Sequence, residues 1–217
     1  MNIDLAAPPE IETLADLLHR LGDIPLERIR FRPYPGTATE QDVVALPKGR
    51  LYELVDGVLV EKAMGYYESR LAASLIFFLE SFLVHNDLGI SLAPDGLTRI
   101  EAGLVRMPDV SFHSWEHFPN RLLPAGAFLE QAPDLAVEIL SPSNTEREMD
   151  RKRSEYFTGG SRLVWQVYPP TRRVRVYTSV DVFVELAEED TLVGEPVLPG
   201  FTLSVRRWFE RAGRRGA

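Results

Sequence analysis

The chain has 217 residues, of which 45% are hydrophobic and 26% charged, as is usual for a soluble globular protein. The absence of cysteine excludes zinc fingers, iron–sulfur clusters, thiol proteases and disulfide frameworks. The net charge of −8 argues mildly against a non-specific nucleic-acid binder, although a divalent metal ion can neutralise an acidic site locally.

The N-terminus predicts no export or membrane signal. Met1–Pro9 has neither a basic segment nor an apolar run, so we expect no signal peptide. The most apolar stretch of helical length, Leu71–Val84, is interrupted by Glu80 and is too short to span a bilayer. We therefore expect a cytoplasmic protein without a membrane partner.

The first 38 residues are predicted to form a helix and a linker. Glu10–Gly22 carries leucines at helical spacing, and Ile24–Thr39 is rich in proline and predicts an extended linker. The helix is expected to pack on the main domain or on a second subunit, and its apolar stripe favours a homodimer. The predicted division is an N-terminal segment over residues 1–38, one domain over 39–210 and a basic disordered tail over 211–217.

The main domain is predicted to open with a hairpin. Leu51–Val55 and Val58–Lys62 flank Asp56-Gly57, a dipeptide typical of a type I′ turn. A long helix follows over about Tyr67–Asn86. Further strands are predicted at Ile90–Leu92, Leu97–Ile100, Pro108–His113 and Asp134–Leu140.

The second half of the domain has a clear helix start. Thr145–Glu148 matches a capping box, and Gly159-Gly160 is expected to end that helix. A buried strand is predicted over Arg162–Tyr168, and Arg173–Thr178 with Val182–Leu186 form a later hairpin. This order predicts an α/β fold with a mixed β-sheet and few helices.

Glu138 is the most informative polar residue, because it lies inside the apolar strand Asp134–Leu140. A buried carboxylate is costly unless it is paired or bound to metal, so a structural ion pair and a functional site both account for it. Asp109, Glu68 and Lys152 each have an ordinary explanation when taken singly: a turn, a helix first turn and a solvated helix charge.

Taken together, these four residues point to metal-assisted chemistry. Carboxylates converging from neighbouring strands suit Mg²⁺, which takes one or two protein carboxylates and completes its shell with water and phosphate oxygens. A lysine nearby offers a compact positive charge to a phosphate. Glu68 could complete the shell or orient a water molecule.

Other candidates have weaker patterns. Glu53 and Glu61 lie on the first hairpin and are expected to face water, while His113 and His117 lack a third partner for a metal motif. Trp165 is expected in the core. No serine-hydrolase elbow and no phosphate-binding glycine loop is present.

Several stretches of the chain resemble the Uma-two family of restriction endonuclease-like proteins, within the PD-(D/E)xK nuclease superfamily. The resemblance covers about residues 39–209, and its most specific part is the Pro-Asp-Leu…Glu-Ile-Leu-Ser-Pro-Ser-Asn run. The stretches are Leu51–Gly57, Arg106–Val110, Ala132–Thr145 and Val164–Trp165.

This resemblance implies a restriction-endonuclease-like mixed sheet flanked by helices, with an N-terminal helical extension outside it. It implies a nuclease site at one sheet edge, in which Asp109, Glu138 and the Ile139 carbonyl bind Mg²⁺ or Mn²⁺ and Glu68 supports them. Lys152 matches the family lysine. The wider superfamily places that lysine at the position of Leu140, so Lys152 must reach back from its helix. Family members often carry histidine where Ser69 stands here.

Three hypotheses follow. The first is a Mg²⁺-dependent endonuclease that hydrolyses DNA, with Asp109, Glu138, Lys152 and Glu68 as its catalytic residues. The second is a catalytically inactive binding module of a mobile-element or defence system, which the net charge and the relocated lysine favour. In the third, Glu138 and Lys152 form only a structural ion pair and Asp109 points elsewhere.

Overall fold

A computed structural model describes residues 11–47 and 50–213 of the chain. The segments that bear on the signal-peptide prediction and on the end of the basic tail, residues 1–10 and 214–217, lie outside the described residues. The helices are α1 (Leu14–Arg20), α2 (Glu40–Val44), α3 (Tyr66–Leu83), α4 (Glu146–Thr158) and α5 (Val205–Ala212). The first six strands are β1 (Tyr52–Val55), β2 (Val58–Glu61), β3 (Gly89–Leu92), β4 (Thr98–Glu101), β5 (Leu104–Arg106) and β6 (Val110–Ser114). The others are β7 (Leu135–Ile139), β8 (Leu163–Tyr168), β9 (Arg173–Tyr177), β10 (Phe183–Leu186), β11 (Thr191–Val193) and β12 (Thr202–Ser204).

The predicted hairpin begins a four-stranded antiparallel sheet in the order β2-β1-β5-β4. Asp56 and Gly57 have φ values of 50° and 70°, as a type I′ turn requires, and the turn pairs Val55 with Val58. The hairpin prediction is therefore confirmed. Strand β5 was not predicted, since three residues are too few for a periodic pattern.

A six-stranded sheet in the order β10-β9-β8-β7-β6-β3 carries the rest of the predicted strands, apart from β4. Its central strands β7 and β8 are parallel and are connected through α4, while its other neighbours are antiparallel. The sheet is thus mixed, as the element order predicted.

Strand β7 explains why an apolar run contains a glutamate. Its odd-numbered residues Leu135, Val137 and Ile139 pack in one core with α3 and α5. Ala136 faces the other way and packs with Tyr156 of α4. Side chains alternate along a strand, so Glu138 points to the α4 side.

Helix α4 begins as predicted, with one difference. The Thr145 hydroxyl accepts a hydrogen bond from the Glu148 amide at 3.0 Å. The Glu148 carboxylate does not complete a capping box; it binds the Arg28 guanidinium at 2.7 and 2.8 Å instead. Gly159 ends the helix.

The N-terminal helix packs on the main part of the same chain. Leu17, Leu21 and Ile24 are buried against the β1–β2 hairpin. The Thr145 hydroxyl also donates to the Gly22 carbonyl. Leu14 stays 59% exposed, so only part of the predicted stripe is covered within the chain. The homodimer stays a prediction.

The C-terminal elements β11, β12 and α5 were not predicted. Helix α5 contacts α3, and its Trp208 indole N–H donates to the Leu71 carbonyl at 3.0 Å. It runs through Ala212 and so includes Arg211, which the sequence analysis assigned to a disordered tail. The assignment of Arg211 was therefore wrong. Within the described ranges, no helix combines the length and hydropathy needed to cross a membrane.

Candidate active site

Six ionisable side chains form a buried charge cluster where the two larger sheets meet α4. Each of these residues is at most 8% exposed. The cluster consists of three acids and three bases: Glu53, Asp109, Glu138, Lys62, Arg106 and Lys152.

Glu138 and Lys152 are in direct contact. The Lys152 ammonium lies 3.3 and 3.2 Å from the two Glu138 carboxylate oxygens. The Tyr156 hydroxyl donates to Glu138 Oε1 at 2.5 Å. Lys152 and Tyr156 are four residues apart and share one face of α4. The lysine therefore does reach back from the helix to the strand glutamate.

Asp109 lies at the start of β6, next to Glu138. The pairing of Val110 with Val137, extended by one residue, places Asp109 opposite Glu138. The Asp109 amide donates to the Val137 carbonyl at 2.9 Å, and the Ile139 amide donates to Asp109 Oδ2 at 2.6 Å. Asp109 thus does not point away from the cluster, contrary to what the ion-pair hypothesis expected.

Apart from Arg106, Lys62 is the cluster residue that the sequence analysis missed. Its ammonium lies 2.9 Å from Asp109 Oδ1 and also donates to the Met107 carbonyl. The hairpin register contained a signal: Val60 pairs with Glu53, so Lys62, two residues further on, shares a sheet face with Glu53.

Glu53 corrects another expectation, because it is fully buried rather than facing water. Its carboxylate accepts hydrogen bonds from Arg106 Nη1 at 2.8 Å and from Lys152 Nζ at 3.1 Å. Both faces of the first sheet are covered, as the burial of all four β1 residues shows. Hairpin position alone therefore could not tell which side chains reach solvent.

The two glutamates bound to Lys152 differ in proton affinity. Burial raises the pKa of both carboxyl groups. At Glu53 the positive charges of Lys152, Arg106 and Lys62 outweigh burial and hold the pKa below its usual range. At Glu138 burial outweighs Lys152 and Lys62, and the nearby Asp109 carboxylate adds to it, so the pKa is raised.

The pKa values of Lys152 and Tyr156, which both bind Glu138, are also shifted by burial and by nearby charges. Burial alone would lower the pKa of Lys152, but Glu138 and Glu53 outweigh it and raise that pKa. Burial, followed by the Glu138 carboxylate, raises the pKa of Tyr156 well above its usual value. Both shifts favour a charged Lys152 ammonium and a neutral Tyr156 hydroxyl that donates to Glu138.

Glu68 is buried in the first turn of α3, where its carboxylate lies against the N-cap glycine Gly65. Within residues 11–47 and 50–213, no three acidic or histidine side chains come together as a metal-binding group. The structure thus brings Asp109, Glu138 and Lys152 together but does not assemble them with Glu68 into a three-carboxylate set.

The remaining candidates have structural contacts. His113 is buried beside the Ser111 hydroxyl at 3.3 Å, and His117 lies 2.9 Å from Asp134. The Ser141 hydroxyl donates to the Asn144 side chain at 2.9 Å, as expected of a loop that precedes a helix. Trp165 is fully buried in the core, as predicted.

The architecture is that of a restriction-endonuclease-like α/β fold. A crystal structure from Anabaena variabilis, described as a "putative nuclease belonging to DUF820", matches with a TM-score of 0.69 and 20% identity over 80% of this chain and 98% of that one. The profile of the Uma2 family, described as "Putative restriction endonuclease", matches residues 40–206. The chain belongs to the Uma2 family. A search of curated proteins finds no match to this sequence.

Proposed function

We propose that the protein is a divalent-metal-dependent endonuclease that hydrolyses phosphodiester bonds in DNA. The observation that carries this proposal is the juxtaposition of Asp109, Glu138 and Lys152: two carboxylates on opposing strand positions with an ammonium 3.2 Å from one of them. Membership of a restriction endonuclease-like family supports the same class of reaction.

The carboxylates fit a hard divalent cation by their chemistry. Asp109 and Glu138 offer only oxygen donors, and Mg²⁺ takes one or two protein carboxylates and keeps several waters. The Ile139 carbonyl follows Glu138 directly and is the third proposed donor. A bound Mg²⁺ or Mn²⁺ would supply a Lewis acid that polarises the phosphodiester and eases the ionisation of water.

Lys152 has the properties needed of a phosphate-binding group. Its ammonium is fixed by Glu138 and Glu53, so it keeps its charge and its position without further ordering. Such a preorganised charge stabilises the negative charge that builds up on a phosphate under attack. The role proposed for Glu68 is to orient water, since it does not join the two carboxylates as a ligand group in the described part of the chain.

A plasmid-nicking assay in Mg²⁺ or Mn²⁺ tests the proposal. D109N, E138Q and K152M are each expected to lower cleavage by about 100-fold or more, because each removes a charge from the reacting site. E148Q is the matched control, since Glu148 is a buried acid of α4 that pairs with Arg28 outside the cluster. The proposal fails if the wild-type protein cuts no form of DNA and calorimetry shows no metal uptake that depends on Asp109 or Glu138.

The alternative is a binding module that keeps the fold without the chemistry. The contact between Lys62 and Asp109 favours it, because an ammonium then stands at a carboxylate proposed to hold metal. Such a protein would bind DNA fragments in a gel-shift assay yet neither cleave them nor take up Mn²⁺.

A further inference from the structure

The Lys62 ammonium lies beside Asp109, at the carboxylate that is proposed to bind the divalent metal ion. Its nitrogen lies 2.9 Å from Asp109 Oδ1, and the Lys62 side chain is only 2% exposed. The other Asp109 oxygen accepts the Ile139 amide. A divalent ion bound to Asp109 would therefore lie within a few ångströms of a buried positive charge.

The six members of the cluster balance in formal charge, and Arg106 also binds the Glu155 carboxylate outside the cluster at 2.6 Å. Three carboxylates, of Glu53, Asp109 and Glu138, face three cations, of Lys62, Arg106 and Lys152. A divalent cation at Asp109 would place two further positive charges beside the Lys62 ammonium in a medium of low polarity, which is strongly unfavourable.

Withdrawal of Lys62 changes this balance. The remaining cluster then carries one net negative charge. That negative charge favours a divalent cation at the position that the ammonium has left.

Lys62 lies at the end of a strand, in contrast to Lys152. It follows the last residue of β2, where its amide donates to the Leu51 carbonyl at 2.8 Å, and its ammonium sits on a flexible four-carbon stem. The residues that follow it, Ala63 and Met64, are partly exposed, so solvent is close. Lys152 instead lies in the middle of α4 between two glutamates.

We propose that Lys62 is an internal counter-ion that occupies the cation position on Asp109, so that a divalent metal ion binds only when this ammonium leaves. The inference rests on the proposed function, since it concerns the same two carboxylates. Lys62 is a positioning and gating residue here, rather than a catalytic one.

Mn²⁺ binding, followed by the electron paramagnetic resonance signal of free Mn²⁺, tests this inference without relying on cleavage. K62M is expected to bind Mn²⁺ about tenfold or more tightly than the wild type, because a competing charge is gone. K62R should stay as weak as the wild type. K62Q, which is uncharged but keeps a polar donor, replaces K62M if the latter does not fold by circular dichroism.

Two further variants test whether the gain in Mn²⁺ affinity comes from freeing Asp109. D109N/K62M should lose the gain in affinity, since the gain comes from freeing Asp109. R106M is the matched control: it also removes one buried cation from the cluster, but one bound to Glu53 and Glu155 rather than to a proposed metal ligand. A gain equal to that of K62M would overturn the inference.

The remaining outcomes separate the two proposals. Equal Mn²⁺ affinity of the wild type and K62M, both dependent on Asp109, would overturn the role of Lys62 and leave the proposed nuclease intact. Absence of Asp109-dependent Mn²⁺ binding in every folded variant would overturn both.

Discussion

Asp109 and Glu138 occupy opposing positions on neighbouring strands, yet each is bound by a lysine from a different element. Lys62 follows β2 of the first sheet and binds Asp109, whereas Lys152 of α4 binds Glu138. Lys62 lies at the end of a strand with one carboxylate partner, and Lys152 lies within a helix between two glutamates. The proposed displacement by a divalent ion therefore concerns the Lys62–Asp109 pair and leaves the Lys152–Glu138 pair in place.

Lys152 is expected to be a major contributor to stability. K152M would leave Glu53 and Glu138 buried with one partner fewer, which costs about 3–5 kcal/mol when a buried ion pair is broken on one side. Urea unfolding at pH 7 measures this loss.

A double-mutant cycle with E138Q isolates the Glu138–Lys152 contact. Because the two side chains touch, K152M/E138Q should lose less than the sum of the single variants, by roughly 1–3 kcal/mol. Additive losses would mean that the contact contributes nothing of its own.

The Arg28–Glu148 pair is expected to hold the N-terminal segment on α4. Both residues are buried, and the guanidinium binds the carboxylate at 2.7 and 2.8 Å. R28M should lower the free energy of unfolding by about 3–5 kcal/mol, since it leaves a buried carboxylate without its cation. It should also speed hydrogen exchange of the Leu21 amide.

Arg20 provides the control for that prediction. It also joins the N-terminal segment to the hairpin, through Asp56 at 3.0 Å, but its side chain is 32% exposed. A partly exposed pair contributes little, so R20M should cost about 1 kcal/mol or less. Equal losses in R28M and R20M would contradict the role given to burial.

His113 is expected to make the protein less stable in mild acid. Burial, with a smaller contribution from His117, lowers the pKa of His113 to about 4 from an ordinary 6.5, although Asp134 opposes this. Between these values the unfolded chain binds more protons than the folded one, so the free energy of unfolding falls as the pH is lowered. From pH 7 to pH 5 the loss is about 2 kcal/mol.

Urea unfolding of H113Q at the two pH values tests this assignment. The variant should lose about 2 kcal/mol less than the wild type over the same interval, because the titrating group is gone. H117Q keeps His113 and should keep the pH dependence. An unchanged dependence in H113Q would assign the effect to other groups.

Gly57 is expected to tolerate no side chain. It has φ +70°, and a Cβ there would lie 2.7 Å from the Gly36 carbonyl carbon, while its carbonyl accepts the Ala38 amide at 2.8 Å. G57A therefore adds a clash to backbone strain and should push residues 36–38 off the hairpin.

Gly103 is the matched control for G57A. Its φ is +81°, but a Cβ there would meet nothing within 4 Å. G103A should cost about 1–2 kcal/mol from backbone strain alone, and G57A about 1–3 kcal/mol more. Thermal or urea unfolding compares them, and equal costs would show that Gly36 yields without penalty.

Local sequence patterns were sufficient to predict most of the strands and helices that carry the candidate site. The Asp56-Gly57 turn set the hairpin register, and the apolar run around Glu138 marked a strand covered on both faces. The start of α4 then put Lys152 on the helix that packs against that strand. These features depend on residues close together in sequence, where spacing and turn chemistry decide the outcome.

The amino-acid sequence by itself thus determined the central elements and the places of Asp109, Glu138 and Lys152 on them. Only the tertiary structure decided which acid meets which base: that Glu53 is buried and that Lys62 binds Asp109. These contacts join residues far apart in the chain, on two sheets that meet only after folding. Both faces of the first sheet are buried, and no local pattern of a four-residue strand specifies this. An unpaired charge is costly when it is buried, so these side chains are stable only as ion pairs.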